Sequence, residues 1–428
     1  MPSEPVRARY PWLWVPSLYF AQGVPYVVVM TVSVIMYKRL GISNTDIALY
    51  TSWLYLPWVI KPLWSPLVDM FKTKRFWIVL LQLVIGASLA LVALALPLPR
   101  FFQYTLAILW LMAFSSATHD IAADGFYMLG LAQNQQAAFV GVRSTFYRFA
   151  MITGQGLLVV LAGTIETQSG GNIPFAWSVT FVVIAVLFTL FFIYHRFFLP
   201  YPLADKPTLA SVSGGVLQEF LRTFGLFFKK KNIIPTLLFL LFYRFAEAQL
   251  VKLVSPFLLD ARDKGGLGLT TSEVGLVYGT VGIIALTLGG LLGGYVVSKH
   301  GLKTWLWPMV FIIHLPDLAF VYLSQTQPTN ILLINAAVAT EQFGYGFGFT
   351  AYMMYMIMVS QGEHKTAHYA ICTGFMALGM MMPGMASGAI QEWLGYKQFF
   401  LWVIISTIPG FVVPLLIKID PEFGRKKE

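Results

Sequence analysis

Between Phe114 and Gln155 an otherwise apolar stretch carries His119, Asp120, Asp124, Arg143 and Arg148. Asp120 and Asp124 are four residues apart, so a helix puts both carboxylates on one face, with Ser116 above them and Tyr127 nearby. Two carboxylates one turn apart in a low dielectric resist double ionisation unless a cation intervenes. The chemistry this spacing offers is proton binding and release; the competing reading is a static Asp–Arg clamp between two helices. His119 and Asp124 also spell H-x4-D, a spacing used by some acyltransferases. Helical residues five apart point about 140° from each other, so the pair cannot converge as base and orienter. His119 is expected instead to hydrogen-bond at a helix interface.

The turn that reverses this hairpin falls near Leu131–Gln136. At about 1.5 Å per residue, Asp124 and Arg143 both lie roughly 10 Å from it, Asp120 about 15 Å and Arg148 about 18–20 Å. Asp124 should therefore meet Arg143, with Asp120 between the two arginine levels. Other polar residues stand at comparable depth in apolar runs: Gln22 and Tyr26, Lys61 between Pro57 and Pro62, Tyr147, Arg244 with Glu247 three residues on, and Glu341 with Gln342. Arg244 and Glu247 could neutralise one another. His314 and Asp317 flank Pro316, where a broken helix or a shallow position is as good an explanation as function. Lys61 could snorkel to the interface. Charges inside a bilayer cost several kcal/mol and mark pathways or pairs.

The chain that must position these residues has 428 residues, 57% hydrophobic and 11% charged, about half the charge of a soluble protein. Apolar runs of membrane length fall near 12–37, 46–69, 76–97, 102–130, 137–164, 174–198, 232–258, 274–298, 304–324, 329–360, 365–390 and 395–417. The expected fold is an all-α polytopic membrane protein of twelve transmembrane helices. The first run has membrane length and no small-residue cleavage site, so it reads as a retained span.

With the N-terminus inside, eighteen Lys and Arg residues fall on the cytoplasmic side, among them Arg7, Arg9, Lys72, Lys74, Arg75, Lys229–Lys231, Lys426 and Lys427, against six outside. Both termini are therefore expected in the cytoplasm. The same placement explains the net charge of +10 without nucleic acid. The single cysteine, Cys372, excludes an internal disulfide.

Residues 10–198 and 232–420 are expected to form two six-helix bundles. Between them, 199–231 reads as a cytoplasmic linker with Ser211, Ser213 and Gly214, carrying an amphipathic helix on the stripe Val216, Leu217, Phe220, Leu221, Phe224 and Phe228. The halves look like copies. Ser43 with Asp46 and Thr270 with Glu273 both spell capping boxes opening a second helix, and Ala138–Phe146 parallels Ala367–Phe375. Polar groups concentrate in spans one, four, seven and ten, with almost none in three, six and twelve, a pattern expected of a central polar cavity. Gly289, Gly290, Gly293, Gly294 and the run Gly344–Gly348 suit close helix contact. No Walker sequence and no metal-ligand spacing occur, so no cofactor is expected.

Three segments resemble AmpG-type permeases of the peptide/acetyl-CoA/drug transporter group of the major facilitator superfamily. They are Tyr19–Pro25 (YFAQGVP), Leu56–Asp69 (LPWVIKPLWSPLVD) and Ala117–Asp124 (ATHDIAAD). The resemblance implies the major facilitator fold, alternating access and proton-driven uptake by a multi-pass protein of the bacterial inner membrane. Muropeptides, the anhydro-sugar peptides of cell-wall recycling, are the cargo it implies first; acyl-CoA, a siderophore or a drug are the alternatives. Asp69, Lys72 and Arg75 sit where the superfamily has its cytoplasmic gating loop, and His119 replaces the family's Gln.

The resulting expectation is a proton-coupled importer, monomeric in the lipid. Asp120, Asp124, Glu247 and Arg143 carry the proton; Gln22, Tyr26, Lys61, Tyr147, Arg148, Arg244, Glu341 and Gln342 line the solute site. A membrane-embedded enzyme or a non-transporting sensor is the alternative from another class. It lacks a convergent nucleophile and base, or an output domain.

Overall fold

The computed structural model describes residues 10–207, 215–362 and 364–425. The side chains of Asp69, Gln133, Ala137, Val140, 215–221 and Thr366 are outside that description. Of the sequence expectations, Arg7, Arg9, Ser211, Ser213, Gly214, Lys426 and Lys427 lie outside the described residues, as do the side chains of Val216, Leu217, Phe220 and Leu221.

The described residues form helices joined by turns and loops, without strand. In chain order the helices are α1 (Pro11–Arg39), α2 (Asn44–Trp53), α3 (Leu56–Phe71), α4 (Lys74–Ala95), α5 (Phe101–Gly130), α6 (Asn134–Gln168), α7 (Ile173–Phe198), α8 (Gly215–Phe228), α9 (Ile233–Phe242) and α10 (Phe245–Leu259). They continue as α11 (Thr271–His300), α12 (Leu302–Thr326), α13 (Ile331–Ser360), α14 (Lys365–Ile405) and α15 (Ile408–Leu416). Among the described residues, eight helical stretches are long and apolar enough to cross a membrane.

The outward faces carry Leu94, Leu190, Leu291 and Leu415 at 56–70% exposure, a surface that suits lipid and not water. Two apolar runs are broken helices. α2 ends just before Leu56-Pro57, and α9 gives way to α10 at Arg244, whose φ of −110° and ψ of 24° leave the helical region. α12 tightens into a 3-10 turn at Leu315–Asp317, around Pro316. Two of the expected spans, 365–390 and 395–417, run together through α14, which turns at Gly395 with φ 73° and ψ 163°, a conformation open to glycine. Wide π-helical turns interrupt α1 at Val28–Val32, α6 at Ile152–Leu158 and α11 at Gly275–Gly282.

Two compact units result. The first comprises Met1–Val32 and Ile60–Gln218; the second, Ser33–Val59 and Glu219–Glu428. In the first, α1 lies against α6 so closely that a Cβ on Gly23 would meet Ala150 at 2.7 Å. Its core is Trp14, Leu18, Tyr19, Ala122, Phe126 and their neighbours.

In the second unit, α2 packs on α14. Asn44 donates to Gln391 (2.6 Å) and to the Tyr396 hydroxyl (2.9 Å), while Tyr396 donates to Asp260 (2.6 Å). Lys38 completes this cluster with a 2.7 Å ion pair to Asp260. One of the two expected capping boxes is reciprocal, Thr270 and Glu273 satisfying each other's backbone N–H, whereas Ser43 caps α2 by accepting from the Asp46 amide and its hydroxyl meets the Asp46 carboxylate.

The glycine pattern has a direct packing reason. A Cβ on Gly289 would stand 2.1 Å from the Phe343 carbonyl oxygen, and one on Gly346 2.0 Å from that of Leu286, so α11 and α13 touch backbone to backbone. Gly344 and Gly348 do the same against α12. Gly346→Val should therefore cost about 3 kcal/mol or more, because the obstruction is backbone and cannot rotate away. Gly294, which has nothing within 4 Å, should accept alanine with no loss. Thermal unfolding of the two purified variants in detergent checks the contrast.

Candidate functional site

Each unit gathers a constellation of the expected site residues. In the first, α5 delivers Asp120 and Asp124 one turn apart, and α6 delivers Arg143 and Tyr147. Arg143 donates to Asp124 at 2.8 Å, as the matched depths anticipate. Its guanidinium lies 4.4 Å from the Tyr19 ring centre and 5.1 Å from that of Tyr127, and the Tyr19 hydroxyl donates to Asp124 at 3.3 Å.

Asp120 takes a different partner. Lys61 of α3 approaches it to 3.6 Å, so the lysine is used inside the protein and does not snorkel away. Tyr147 stands within electrostatic reach of Tyr26, Asp120 and Asp124. Gln22 is 7% exposed, with an amide oxygen that meets no hydrogen-bond donor among the described residues. Arg148 is partly buried one residue beyond Tyr147.

His119 is 1% exposed and belongs to a network that the sequence reading overlooked in spans three and six. The Gln82 amide nitrogen meets His119 Nε2 at 3.1 Å, the Gln82 oxygen meets His195 Nδ1 at 2.9 Å, and His195 Nε2 meets the Ser17 hydroxyl at 3.0 Å. One arrangement satisfies all three contacts: Ser17 and Gln82 donate to neutral imidazoles, and His195 Nδ1 donates to Gln82. This ties α1, α4, α5 and α7 together, the helix-interface role expected of His119. An isolated Gln in a leucine-rich helix gives no periodic signal, which is why Gln82 was missed.

Of the gating expectations, the Asp69 side chain lies outside the described residues. Lys72 is exposed, its ammonium 5.7 Å from the Phe76 ring centre. Arg75 donates to the carbonyls of Arg196 and Leu199 and stacks 3.8 Å over Tyr201. Asp205 accepts from the backbone N–H groups of Lys74 and Arg75 at 2.7 and 3.0 Å, placing its charge at the N-terminus of α4. Here, then, Arg75 fastens the segment following α7.

The second constellation gathers Arg244, Glu247, Asp317, Glu341 and Gln342 with Tyr278 and Tyr345. Arg244 donates to the Tyr345 hydroxyl and lies 5.0 and 4.6 Å over the rings of Tyr345 and Phe349. Arg244, in the break between α9 and α10, stands within electrostatic reach of Glu247, as the i,i+3 spacing suggests, but does not hydrogen-bond to it. Neither Glu247 oxygen has a hydrogen-bond partner among the described residues. Gln342 donates to Glu341 at 2.9 Å. Asp317, left undecided by the sequence, is 1% exposed and groups with Glu247 and Glu341.

A helical bundle with buried, paired charges and an apolar outer face defines a polytopic carrier. The sequence matches the Major Facilitator Superfamily over residues 17–360, and the chain belongs to that family. Within it the chain is AmpG-like. It is 27% identical over 413 residues to a Rickettsia conorii protein named as transporter AmpG 4, covering 92% of this chain and 94% of that one. It is 24% identical over 422 residues to the anhydromuropeptide permease of Escherichia coli K12, covering 95% and 80%.

Among solved structures, a D-xylose–proton symporter superposes with a TM-score of 0.71 at 14% identity, covering 95% of this chain and 97% of that one. The nucleoside transporter NupG superposes with 0.69 at 14%, covering 95% and 98%. The protein is thus a multi-pass membrane transporter of a small-molecule solute and not an enzyme.

The Lys61–Asp120 pair generates a measurable expectation. Lys61→Met and Asp120→Asn each remove one member of the pair, whereas the double variant removes both. A double-mutant cycle on thermal unfolding should give a coupling energy on the order of 1 kcal/mol or more, with the double variant more stable than the additive sum.

Proposed function

We propose that this protein imports an anhydromuropeptide across the bacterial inner membrane, driven by protons and working by alternating access. The observation carrying this reading is the similarity to the Escherichia coli anhydromuropeptide permease over nearly the whole chain. The first constellation suits it chemically. Such a solute carries carboxylates and, through its peptide, amino groups; Lys61, Arg148 and Arg143 when Asp124 releases it can meet the former, and Asp120 the latter. Gln22, Tyr26 and Tyr147 add neutral donors for sugar hydroxyls.

The helices form twelve spans in two six-helix halves, 10–198 and 232–420, joined by the cytoplasmic linker 199–231. Both termini are cytoplasmic, in keeping with the lysine and arginine distribution. The molecule acts as a monomer, and Asp69, Lys72 and Arg75 serve its cytoplasmic gate. Glu341 and Gln342, with Arg244, serve the solute from the C-terminal half, and Glu247 titrates with the coupling acids.

Asp124 is the coupling group in this scheme. It must release Arg143 when protonated and recapture it when ionised, so the pair alternates with the pH gradient. In proteoliposomes with an imposed pH gradient, the wild-type protein should accumulate labelled anhydromuropeptide. Asp124→Asn should lower accumulation by about tenfold or more, a loss of at least 1.4 kcal/mol of coupling, while leaving gradient-free exchange. Unchanged accumulation and pH dependence in Asp124→Asn would remove the coupling assignment. Wild-type liposomes that take up no anhydromuropeptide, in exchange or under a gradient, would remove the solute assignment.

A further inference from the structure

The carboxylates of the two units are treated differently. Asp120 and Asp124 each face a lysine or arginine, but Glu247, Asp317 and Glu341 face one another. They come from α10, the 3-10 turn of α12, and α13, and each is 1% exposed. One oxygen from each lies within 4.8 Å of the others. Oxygen ligands of a hard cation stand about 2.3–2.6 Å from it, so opposed ligands are roughly 4.6–5.2 Å apart. All three carboxylates can therefore touch one ion.

A second observation is independent of this clustering. Both oxygens of Glu247, both of Asp317, and Oε1 of Glu341 have no hydrogen-bond donor among the described residues. Only Glu341 Oε2 is satisfied, by Gln342. Buried carboxylates do not ordinarily stay without donors. Arg244 donates to Tyr345, lies over the Tyr345 and Phe349 rings and stands within electrostatic reach of Glu247 without a hydrogen bond to it, and Lys252 of α10 donates to Thr51 at 3.0 Å. His314 packs its ring on Tyr243 and Phe411. Tyr278 of α11 stands within electrostatic reach of Glu341 and Glu247 and can add a phenolic oxygen.

We infer that Glu247, Asp317 and Glu341 form a binding site for a small hard inorganic cation. All the groups are oxygen donors, with no thiolate and no imidazole among them, which selects alkali and alkaline-earth ions over zinc or copper. Three carboxylates set against the nearby Arg244 leave two negative charges, so a divalent ion balances the site and a sodium ion leaves one. The inference goes beyond the proton-driven reading and does not depend on it, because cation binding is measurable without solute or gradient.

The test is the melting temperature of the full purified chain in lipid nanodiscs. Sodium, lithium, magnesium and calcium chlorides are compared with choline chloride at equal ionic strength and one alkaline pH. At least one of the four should raise the wild-type value by about 3 °C or more, in a saturable way. Glu341→Gln, Asp317→Asn and Glu247→Gln should each lose most of that rise, while Glu422→Gln, exposed near the C-terminus, should keep it. If one amide variant fails to assemble, the other two carry the comparison.

Sodium and lithium alone acting would make it a monovalent site; magnesium or calcium acting, a divalent one. Four inert cations, or triad variants that respond like wild type, would overturn the inference and leave the triad neutralised by protons. Solute uptake by the wild-type protein is a separate measurement from cation binding, so the two readings fail separately.

Discussion

Charge inside a bilayer has to be answered within the protein, because lipid offers neither water nor counter-ions. That constraint explains why the polar residues occur as constellations. Asp124 lies beside Arg143 and Tyr19, Asp120 beside Lys61, and His119 at the end of a chain through Gln82 and His195 to Ser17. Each contact joins different helices, so the need to satisfy a charge or a ring nitrogen also sets which helices are neighbours. The apolar residues between them supply bulk and close packing but little choice of partner, since lipid is as apolar as leucine.

The same constraint governs where the helices break. A helix that must place a cationic group against an aromatic pair cannot always do so at the regular 100° step. Arg244 leaves the helical region between α9 and α10 and lies over Tyr345 and Phe349. The 3-10 turn around Pro316 brings Asp317 to Glu247 and Glu341. These departures are tolerated because the neighbouring backbones come close, α11 against α13 at Gly289 and Gly346, and α12 against α13 at Gly344 and Gly348. Close approach and helix breaks are two parts of one arrangement: the first supplies rigidity where the second gives up hydrogen bonds.

Much of this is legible in the sequence. Continuous apolarity announces helices in lipid; equal depth from the Leu131–Gln136 turn announces Asp124 with Arg143; the glycine spacing announces backbone contact. Each of these depends on local spacing along one helix or one hairpin. What stayed hidden depends on which helices from distant parts of the chain become neighbours. Lys61 and Asp120 are 59 positions apart and Lys38 and Asp260 are 222 apart, and no spacing rule connects them. Asp317 looked ambiguous because a proline beside it blurred its depth, and only the 3-10 turn resolves where it lies. The i,i+3 spacing of Arg244 and Glu247 announces their electrostatic contact but not the helix break at Arg244 or the absence of a hydrogen bond between them.

The two constellations also differ in kind, and the difference bears on how a carrier of this type can respond to more than one ligand. A carboxylate held by a lysine or arginine exchanges that partner only when something else competes for it, such as a proton on the acid or an anion on the base. Three carboxylates gathered near a single guanidinium exceed its charge, so whatever neutralises the remainder must come from outside. On the proposed reading, a proton on Asp124 frees Arg143 for an anionic group of the solute, so proton and solute favour each other's binding, which is the coupling a symporter needs. The second ties the packing of α10, α12 and α13 to an external ion. Because those three helices also carry Arg244's aromatic platform and the glycine contacts, occupancy there sets the stability of one whole half of the carrier.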